Sequence, residues 1–471
     1  MRPRVIVVGG GIAGLATAHH LLAQRPDLDV LVIDAGERPG GKIRGFRVGG
    51  VTVDVGAESI VASSRPAREL ITDLGLADRL VHPEPVPASI WSRGARHRVP
   101  ARSYLGIPSA ETDLGGILDE GEVARAARPA PFALDDRDVT VADAVGSVYG
   151  RAVVDRVVEP LLGGIYAGRV DALSLRATMP GLWSAMAEGR SVPDAVASLV
   201  PEPTTPPKPR VMGLVGGIST LVDALAAGVT TGGGTILQQT IARELHRTPA
   251  GWRVVTGPTI DPVVHDADAV VLATPAPPTS RLLTDHAPAA SRALAGVDYA
   301  SMAVVTLALP TAQLPTPPGS GFLAPAVDGH TIKAATFSAA KWAWVRAASD
   351  EVTLLRASVG RAGEVASLQR SDDQLRAIAL DEVGQALGTR LPQPLDAHVQ
   401  RWGGGLPQYD LGHTDKVATT RADVAGLPGI ELVGAAYDGV GIAAVLDGAA
   451  RAASTISTTC PPSTPTRQEQ R

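Results

Sequence analysis

Several things are scarce in this chain, and each scarcity excludes something. Among 471 residues there is one cysteine, Cys460, so an internal disulfide framework and a cysteine-built metal site are excluded. Cys460 stands in a polar stretch and reads as a solvent-exposed thiol; no metal site is assigned. Aromatic residues make up 3%, which argues against a single-strand nucleic-acid platform, where bases need rings to stack on. Neither charge dominates: 43 Lys and Arg face 48 Asp and Glu, and no basic stripe offers a sequence-independent grip on phosphates. No apolar run reaches the ~18 residues of a membrane-spanning helix. The run Val5–Val8 is too short for a secretory signal. The expected address is the cytoplasm, with peripheral membrane contact left open.

What is present is apolar mass. Hydrophobic residues make up 45% and charged residues 19%, enough for a large core. The length exceeds one typical core, so two or three packed lobes are expected. Val5–Val8 reads as a short buried strand, followed by a glycine turn and a helical pattern through Ile12, Leu15, Leu21 and Leu22. Val30–Ile33 is a second buried strand and Val51–Val55 a third. Residues 140–200 are mostly helical. Pro201–Arg210 (PEPTTPPKPR) reads as a mobile linker, because proline supplies no amide donor. Strand-like runs return at Trp252–Val255, Asp268–Ala273, Ser301–Leu309 and Glu351–Val359, with a helix over 371–388.

The first turn carries the chemistry. Gly9, Gly11 and Gly14 fall in GxGxxG spacing between a strand and a helix, and Asp34 closes the second strand 20 residues beyond Gly14. The first glycine permits the tight turn, the second lets a pyrophosphate approach, and the third lets helix and strand pack. Free amides at the helix start attract the phosphates, and the carboxylate accepts from ribose hydroxyls. Gly36-Glu-Arg-Pro-Gly-Gly-Lys42 adds a second glycine pair beside basic residues, suited to closing over a longer cofactor. Gly56-Ala57-Glu58-Ser59 is a third small-residue turn. At the other end, Glu431–Gly434 leads to Gly439-Val440-Gly441-Ile442 and a helix to about Ala453. A helix start beside an isoalloxazine ring would stabilise its reduced, negative form, which favours FAD over NAD. The clusters at Gly319–Ala324, Gly232–Gly234 and Gly403–Gly405 lack strand-turn-helix context. With no second dinucleotide fingerprint, electrons must leave to oxygen or an external acceptor.

Seven segments carry a family resemblance: VVGGGIAGLATAHHL, ERPGGKIR, DVGAESIVAS, EPLLGGIYAGRVDALSLRATMP, VGGISTLVDAL, LPQYDLGH and LVGAAYDGVGIAAVLDGAA. Over about residues 4–453 the chain resembles the bacterial FAD-dependent coproporphyrinogen III oxidase / protoporphyrinogen oxidase family, within the amine-oxidase-like flavoproteins. The segments Gly164–Gly168, Leu406–Tyr409 and Tyr437–Ile442 are the specific ones. The resemblance implies six-electron oxidation of a porphyrinogen, coproporphyrinogen III in the first place, in haem biosynthesis. FAD would turn over three times, with oxygen as acceptor and three peroxides released. Protoporphyrinogen IX, or an amine oxidase or desaturase reaction, are the alternatives, and a non-catalytic FAD- or haem-binding scaffold is a third reading. A ferrochelatase is the candidate recipient of product.

FAD contacts implied by the resemblance are Gly9, Gly10, Gly11, Ile12, Ala13, Gly14, Asp34, Ala35, Lys42, Gly56, Ala57, Glu58, Ser59, Ile241, Trp402, Val440, Gly441 and Ile442. Asp34 stands where the family often has Glu, Ala57 where Pro is common, and Ser64 where a basic residue is common, with Arg65 beside it. Propionates need local cations even on a net-acidic chain. Arg44, Arg65 and Lys341 are the candidates, with Tyr166 and Trp342 as lining for the macrocycle. No general base is nominated, since conjugation in the product drives proton loss; His413 reads as a structural hydrogen-bonder.

The expected fold is α/β: a Rossmann-like FAD domain assembled from split segments (1–85, 211–290 and 400–453), with a helical insertion (111–210). A mixed-sheet substrate domain (86–110 and 291–399) and a disordered tail (454–471) complete it.

Overall fold

The computed structural model describes residues 2–135, 137–202 and 208–462. At its centre five parallel strands lie in the order Thr235–Leu237, Asp29–Ile33, Arg4–Val8, Ala269–Leu272, Ile430–Leu432. These strands are nearly all apolar because both faces of the sheet are covered. Val5, Val7, Val30, Val32, Ala269 and Val271 point to one face, against the helices Ile12–Gln24, Ser219–Thr231 and Ile442–Thr459. Ile6, Val8, Leu31, Ile33, Val270 and Leu272 point to the other. There they meet the helices Ala276–Leu283 and Pro288–Ala295 and an antiparallel meander, Glu244–Thr248, Gly251–Thr256 and Val263–Ala267. Segments from the two ends and the middle of the chain thus share one doubly wound sheet.

A second sheet has seven strands, ordered Asp396–Pro407, Tyr299–Pro310, Val352–Val359, Ile332–Phe337, Gly321–Leu323, Ala88–Ser92, Ala95–Arg98. Neighbours run antiparallel except Gly321–Leu323, which runs parallel to Ala88–Ser92. The sheet alternates. Val305, Leu307, Ala357 and Phe337 pack under the helix Asp372–Leu387, whose start is fixed by a reciprocal Ser371–Gln374 capping box. Arg356 and Ser358 lie on the opposite face.

A third body is helical: Val141–Tyr149, Glu159–Tyr166, Pro180–Ala187 and Val192–Leu199 surround a core of Val145, Val157, Leu162 and Leu182. The hairpin Ser103–Tyr104/Ile107–Pro108 belongs to this core. Ile107 is buried in it, and the Tyr149 hydroxyl donates to the Pro108 carbonyl at 2.8 Å. The expected 86–110 grouping therefore divides, with only its first two strands in the mixed sheet.

Two expectations about the C-terminus are corrected. The last helix continues to Thr459, and Cys460 is buried rather than solvent-exposed. Ala449, Ala452, Ala453, Ile456 and Cys460 recur at helical spacing and seal one face against the first helix, although Ser and Thr dominate the composition there. Residues 463–471, and 203–207 of the proline-rich linker, lie outside the described residues. Among the described residues no helix is long and apolar enough to cross a membrane.

Candidate cofactor site

The strand Arg4–Val8 ends at Gly9, whose φ of +111° favours glycine; a Cβ there would meet the Ala273 carbonyl oxygen at 2.8 Å. A Cβ on Gly14 would collide with the Gly9 carbonyl. Gly11 differs. Its Cβ would meet nothing nearer than the Gly41 Cα at 4.0 Å, so its small size leaves space open. The helix behind it starts at Ile12 with no side-chain cap and no acidic residue in its first turn. Its leading amides therefore keep their attraction for an anion.

Asp34 braces this turn. Its Oδ2 accepts from the Gly10 amide and its Oδ1 from the Gly36 amide at 2.6 Å. Each oxygen retains a lone pair for a ribose hydroxyl. The second glycine pair closes from the opposite side, with the Gly40 amide donating to the Gly10 carbonyl at 2.7 Å.

These groups border a cavity of about 530 Å³ with mainly apolar walls. Of the residues singled out from sequence, Gly9, Gly11, Ile12, Ala13, Asp34, Ala35, Lys42, Ala57, Ile241, Val440 and Ile442 line it. Gly11 and Ile442, from opposite ends of the chain, thus face one crevice. Gly10 and Gly14 shape the turn, and Gly441 caps the second helix without a side-chain bond. Gly434 and Gly441 also face open space. Ile241, an apolar residue 61% exposed, offers a flat contact at the cavity wall.

Lys42 is held by burial at a pKa of about 8, with its Nζ 5.3 Å from the Tyr299 ring centre. A bound phosphate would favour its charged form. The Tyr299 hydroxyl accepts from the Ala276 amide at 2.8 Å. Tyr299, Arg281 and Gly405 line the cavity but were not selected from sequence, and Leu406 was named only within the segment Leu406–Tyr409 and not as a cofactor contact. Gly405 and Leu406 come from the end of a sheet strand, where a dinucleotide pattern gives no signal.

Gly56, Glu58, Ser59 and Trp402 are not among the residues that line the cavity. The Trp402 indole donates to the Val55 carbonyl at 3.0 Å, and its ring occupies the space a Cβ on Gly56 would need. Glu58 lies between two cations: Lys341 Nζ at 2.5 Å and Arg356 Nη1 at 2.5 Å. Burial would push its carboxyl up, but Lys341 and Arg356 outweigh it and hold the pKa down to about 2. Beside it Asp54 accepts from the Ile218 and Ser219 amides, and burial pushes its pKa up to about 6.

None of the five residues singled out for the substrate lines the cavity. Lys341 is already engaged by Glu58. Arg65 pairs with Glu69 one turn along a surface helix, and its side chain is 86% exposed. Tyr166 is buried in the helical core, its ring centre 5.4 Å from that of Tyr409, and Trp342 is buried against Val48, Val51 and Val53. Arg44 has a buried Nε with no partner among the described residues.

Asp438 was also missed. It is almost wholly buried, accepts from the Gly434 amide at 2.9 Å, and bonds Arg421 at 2.8 Å and Arg451 at 3.0 Å. It clamps the turn that leads into the last helix, and Gly448 leaves room for its carboxylate.

The residues fit FAD. Two uncapped helix starts, the Asp34 carboxylate, a buried lysine and apolar walls surround space that glycine keeps open. When bound, FAD supplies a two-electron acceptor; the chain supplies the grip on its diphosphate and ribose.

Comparison with known proteins agrees. A family model described as flavin containing amine oxidoreductase matches residues 12–457. The coproporphyrinogen III oxidase of Mycobacterium tuberculosis is 35% identical, over 97% of this chain and 98% of that protein. A crystal structure of a candidate protoporphyrinogen oxidase from Exiguobacterium superposes with a TM-score of 0.83 at 30% identity, covering 97% of this chain and 99% of that one. A putrescine oxidase superposes with a TM-score of 0.70 at 17% identity, covering 97% and 99%, which speaks to the fold alone. The chain belongs to the flavin-containing amine oxidoreductases, in the group of coproporphyrinogen III and protoporphyrinogen oxidases, and is an FAD-dependent oxidoreductase.

Proposed function

We propose that the protein oxidises coproporphyrinogen III to coproporphyrin III in haem biosynthesis, with oxygen as acceptor and peroxide released. One observation carries this reading. Two of the three segments that most resemble porphyrinogen oxidases interlock beside the cofactor cavity, through Gln408 and Tyr166, 242 positions apart in the chain. Gln408 Nε2 donates to the Tyr166 carbonyl at 2.9 Å and to the Leu406 carbonyl at 3.2 Å. Leu406 itself lines the cavity. Gly168 is glycine because a Cβ would meet Gln408 Oε1 at 2.5 Å. The Tyr409 hydroxyl donates to the Ala435 carbonyl, another wall residue, at 2.5 Å.

The seam they form between helical body and mixed sheet is rich in cations. Ala362 donates its amide to the Ala167 carbonyl at 2.7 Å, and beside it stand Arg361, Lys333 and Arg169, with Glu364 and Glu159. Lys333 Nζ is buried with no partner among the described residues. The guanidiniums of Arg361 and Arg169 suit a substrate that bears propionates, and the 35% identity to a coproporphyrinogen III oxidase supports coproporphyrinogen over protoporphyrinogen.

The chain's part in the chemistry is positional. Seam and cavity wall would hold a methylene bridge against the flavin and keep bulk water away. His413, stacked on Tyr409 at 3.9 Å, is held by burial at a pKa of about 4 and stays neutral, which suits packing rather than proton transfer. We further propose a cytoplasmic enzyme with peripheral membrane contact that passes product to a ferrochelatase.

Anaerobic mixing with coproporphyrinogen III tests the reading. The flavin absorbance should bleach, a two-electron step, and porphyrin fluorescence should rise once oxygen is admitted to turn the flavin over three times, both faster than with protoporphyrinogen IX. Protein with bound FAD that oxidises benzylamine or a polyamine and ignores both porphyrinogens would overturn it.

A further inference from the structure

The turn Gly56–Ala57 has an unusual tether. Arg356, in the middle of the sheet strand Val352–Val359, reaches across to it with both arms of its guanidinium. Nη2 donates to the Gly56 carbonyl at 2.6 Å and Nη1 to Glu58 Oε2 at 2.5 Å. Lys341 holds the other oxygen of Glu58. The group is mostly buried: the side chains of Arg356, Glu58 and Lys341 are 11%, 15% and 20% exposed. No other described contact from the sheet strands is charged and reaches this turn; Trp402 secures the preceding residue through a neutral hydrogen bond.

Asp34 and the first glycine turn take the ribose and diphosphate of FAD. That leaves the wall made by Ala57, Leu406 and Val440 for the ring system. We propose that Arg356 is a positioning residue for that ring, and that with Glu58 and Lys341 it sets the local charge the ring experiences. The planar fork fixes the Gly56 carbonyl and Glu58 together, which a lysine's single ammonium does not reproduce. In a mostly buried environment a nearby charge is weakly screened, so each cation removed should disfavour the reduced, more negative flavin and each anion removed should favour it. Asp54, Arg356 and Lys341 are the charged groups facing Glu58. The inference rests on FAD binding and not on the identity of the substrate.

Three variants of the holoenzyme separate grip from charge, read by FAD dissociation constant and by the flavin midpoint potential against reference dyes. Arg356→Lys keeps the charge and loses the fork: FAD should bind about tenfold more weakly, the size of one lost charged hydrogen bond, with the potential near that of the parent. Lys341→Met keeps the Gly56 contact and loses a cation: the potential should fall while FAD affinity stays within about twofold, a residual below one weak contact. Glu58→Gln should move the potential upward. Potentials that stay fixed, or move the same way in Lys341→Met and Glu58→Gln, overturn the charge role. Parent-like FAD affinity in Arg356→Lys overturns the positioning role. Should Arg356→Lys not fold, the other two variants still decide whether the group acts on the ring. Opposite shifts in a parent enzyme that ignores porphyrinogens would leave this inference standing and remove only the substrate reading.

Discussion

The cofactor crevice and the seam beside it are built by opposite means. The crevice is mostly backbone: glycine turns, uncapped helix starts and small apolar residues, with Asp34 and Lys42 among its few charges. The seam is side chains: Lys333, Arg361, Arg169, Glu159 and Glu364, drawn from two bodies of the fold. Backbone sites tolerate no added bulk, because the free space is the site. Side-chain sites carry the cost of buried charge whether or not a ligand is present.

The sharpest way to break the contrast is to fill the crevice. Gly11→Val puts three carbons into space that only a ligand would use. FAD affinity should fall on the order of a hundredfold, matching the ~3 kcal/mol upper range of overpacking. The melting temperature of the FAD-free protein should barely move. Gly14→Ala should do the reverse and unsettle the fold itself, since its methyl meets the Gly9 carbonyl. Equal loss of apoprotein stability in both variants, seen by thermal denaturation, would erase the distinction.

At the seam the expected effect has the other sign. Burial, with repulsion from Arg361, holds Lys333 at a pKa of about 7. The folded state therefore binds fewer protons than the unfolded chain between pH 7 and the ordinary lysine value. Stability should rise with pH across that window. Lys333→Met removes the penalty and should stabilise the protein by a few kcal/mol. The gain should be full below pH 7 and shrink as pH climbs towards ~10.5. Denaturation at pH 6 and pH 10 checks it; a loss of stability at pH 6 would mean that Lys333 is well paired after all.

The same division explains what could be read from the sequence. The parallel strands were legible as apolar runs, and the first turn because its glycines, helix start and Asp34 lie within 26 consecutive residues. Glu58 was legible as part of a small-residue turn, but its partners were not: Arg356 is 298 positions away and Lys341 283. Such pairings depend on which sheet residues share a face, and a strand must be placed before its register is known. Lys341 was singled out for a propionate, and its partner is a carboxylate of the chain itself. Cys460 was misread for a different reason. Composition was weighed over period, and the helical spacing of Ala452, Ala453 and Ile456 was the better guide.

Asp438 lies between the two regimes: a single buried side chain that shapes a backbone turn. Asp438→Asn keeps the size but loses the charge that holds Arg421 and Arg451. With Arg421 43% and Arg451 64% exposed, the cost should be about 1.5–3 kcal/mol, the range for hydrogen bonds to charged groups. FAD should also dissociate faster, since the turn carrying Val440 loosens. Loss of stability with unchanged FAD release would confine Asp438 to a structural role.

The smallest effect belongs to Arg65, and it separates the seam from the surface most cleanly. Both Arg65 and Arg361 are arginines beside carboxylates, and sequence offers no reason to prefer Arg361. Arg65 extends into solvent and pairs with Glu69 on its own helix, where water screens both charges. Arg361 is buried, donates to the Ala324 carbonyl at 2.9 Å, and stands beside Lys333 at the seam. Arg65→Ala should leave both kcat and KM for coproporphyrinogen unchanged. Arg361→Met should raise KM with kcat nearly constant, the signature of lost uniform binding. Steady-state kinetics on the pair would reverse the assignment if KM rose for Arg65→Ala and not for Arg361→Met, placing the propionates on the outer helix instead of between the two bodies.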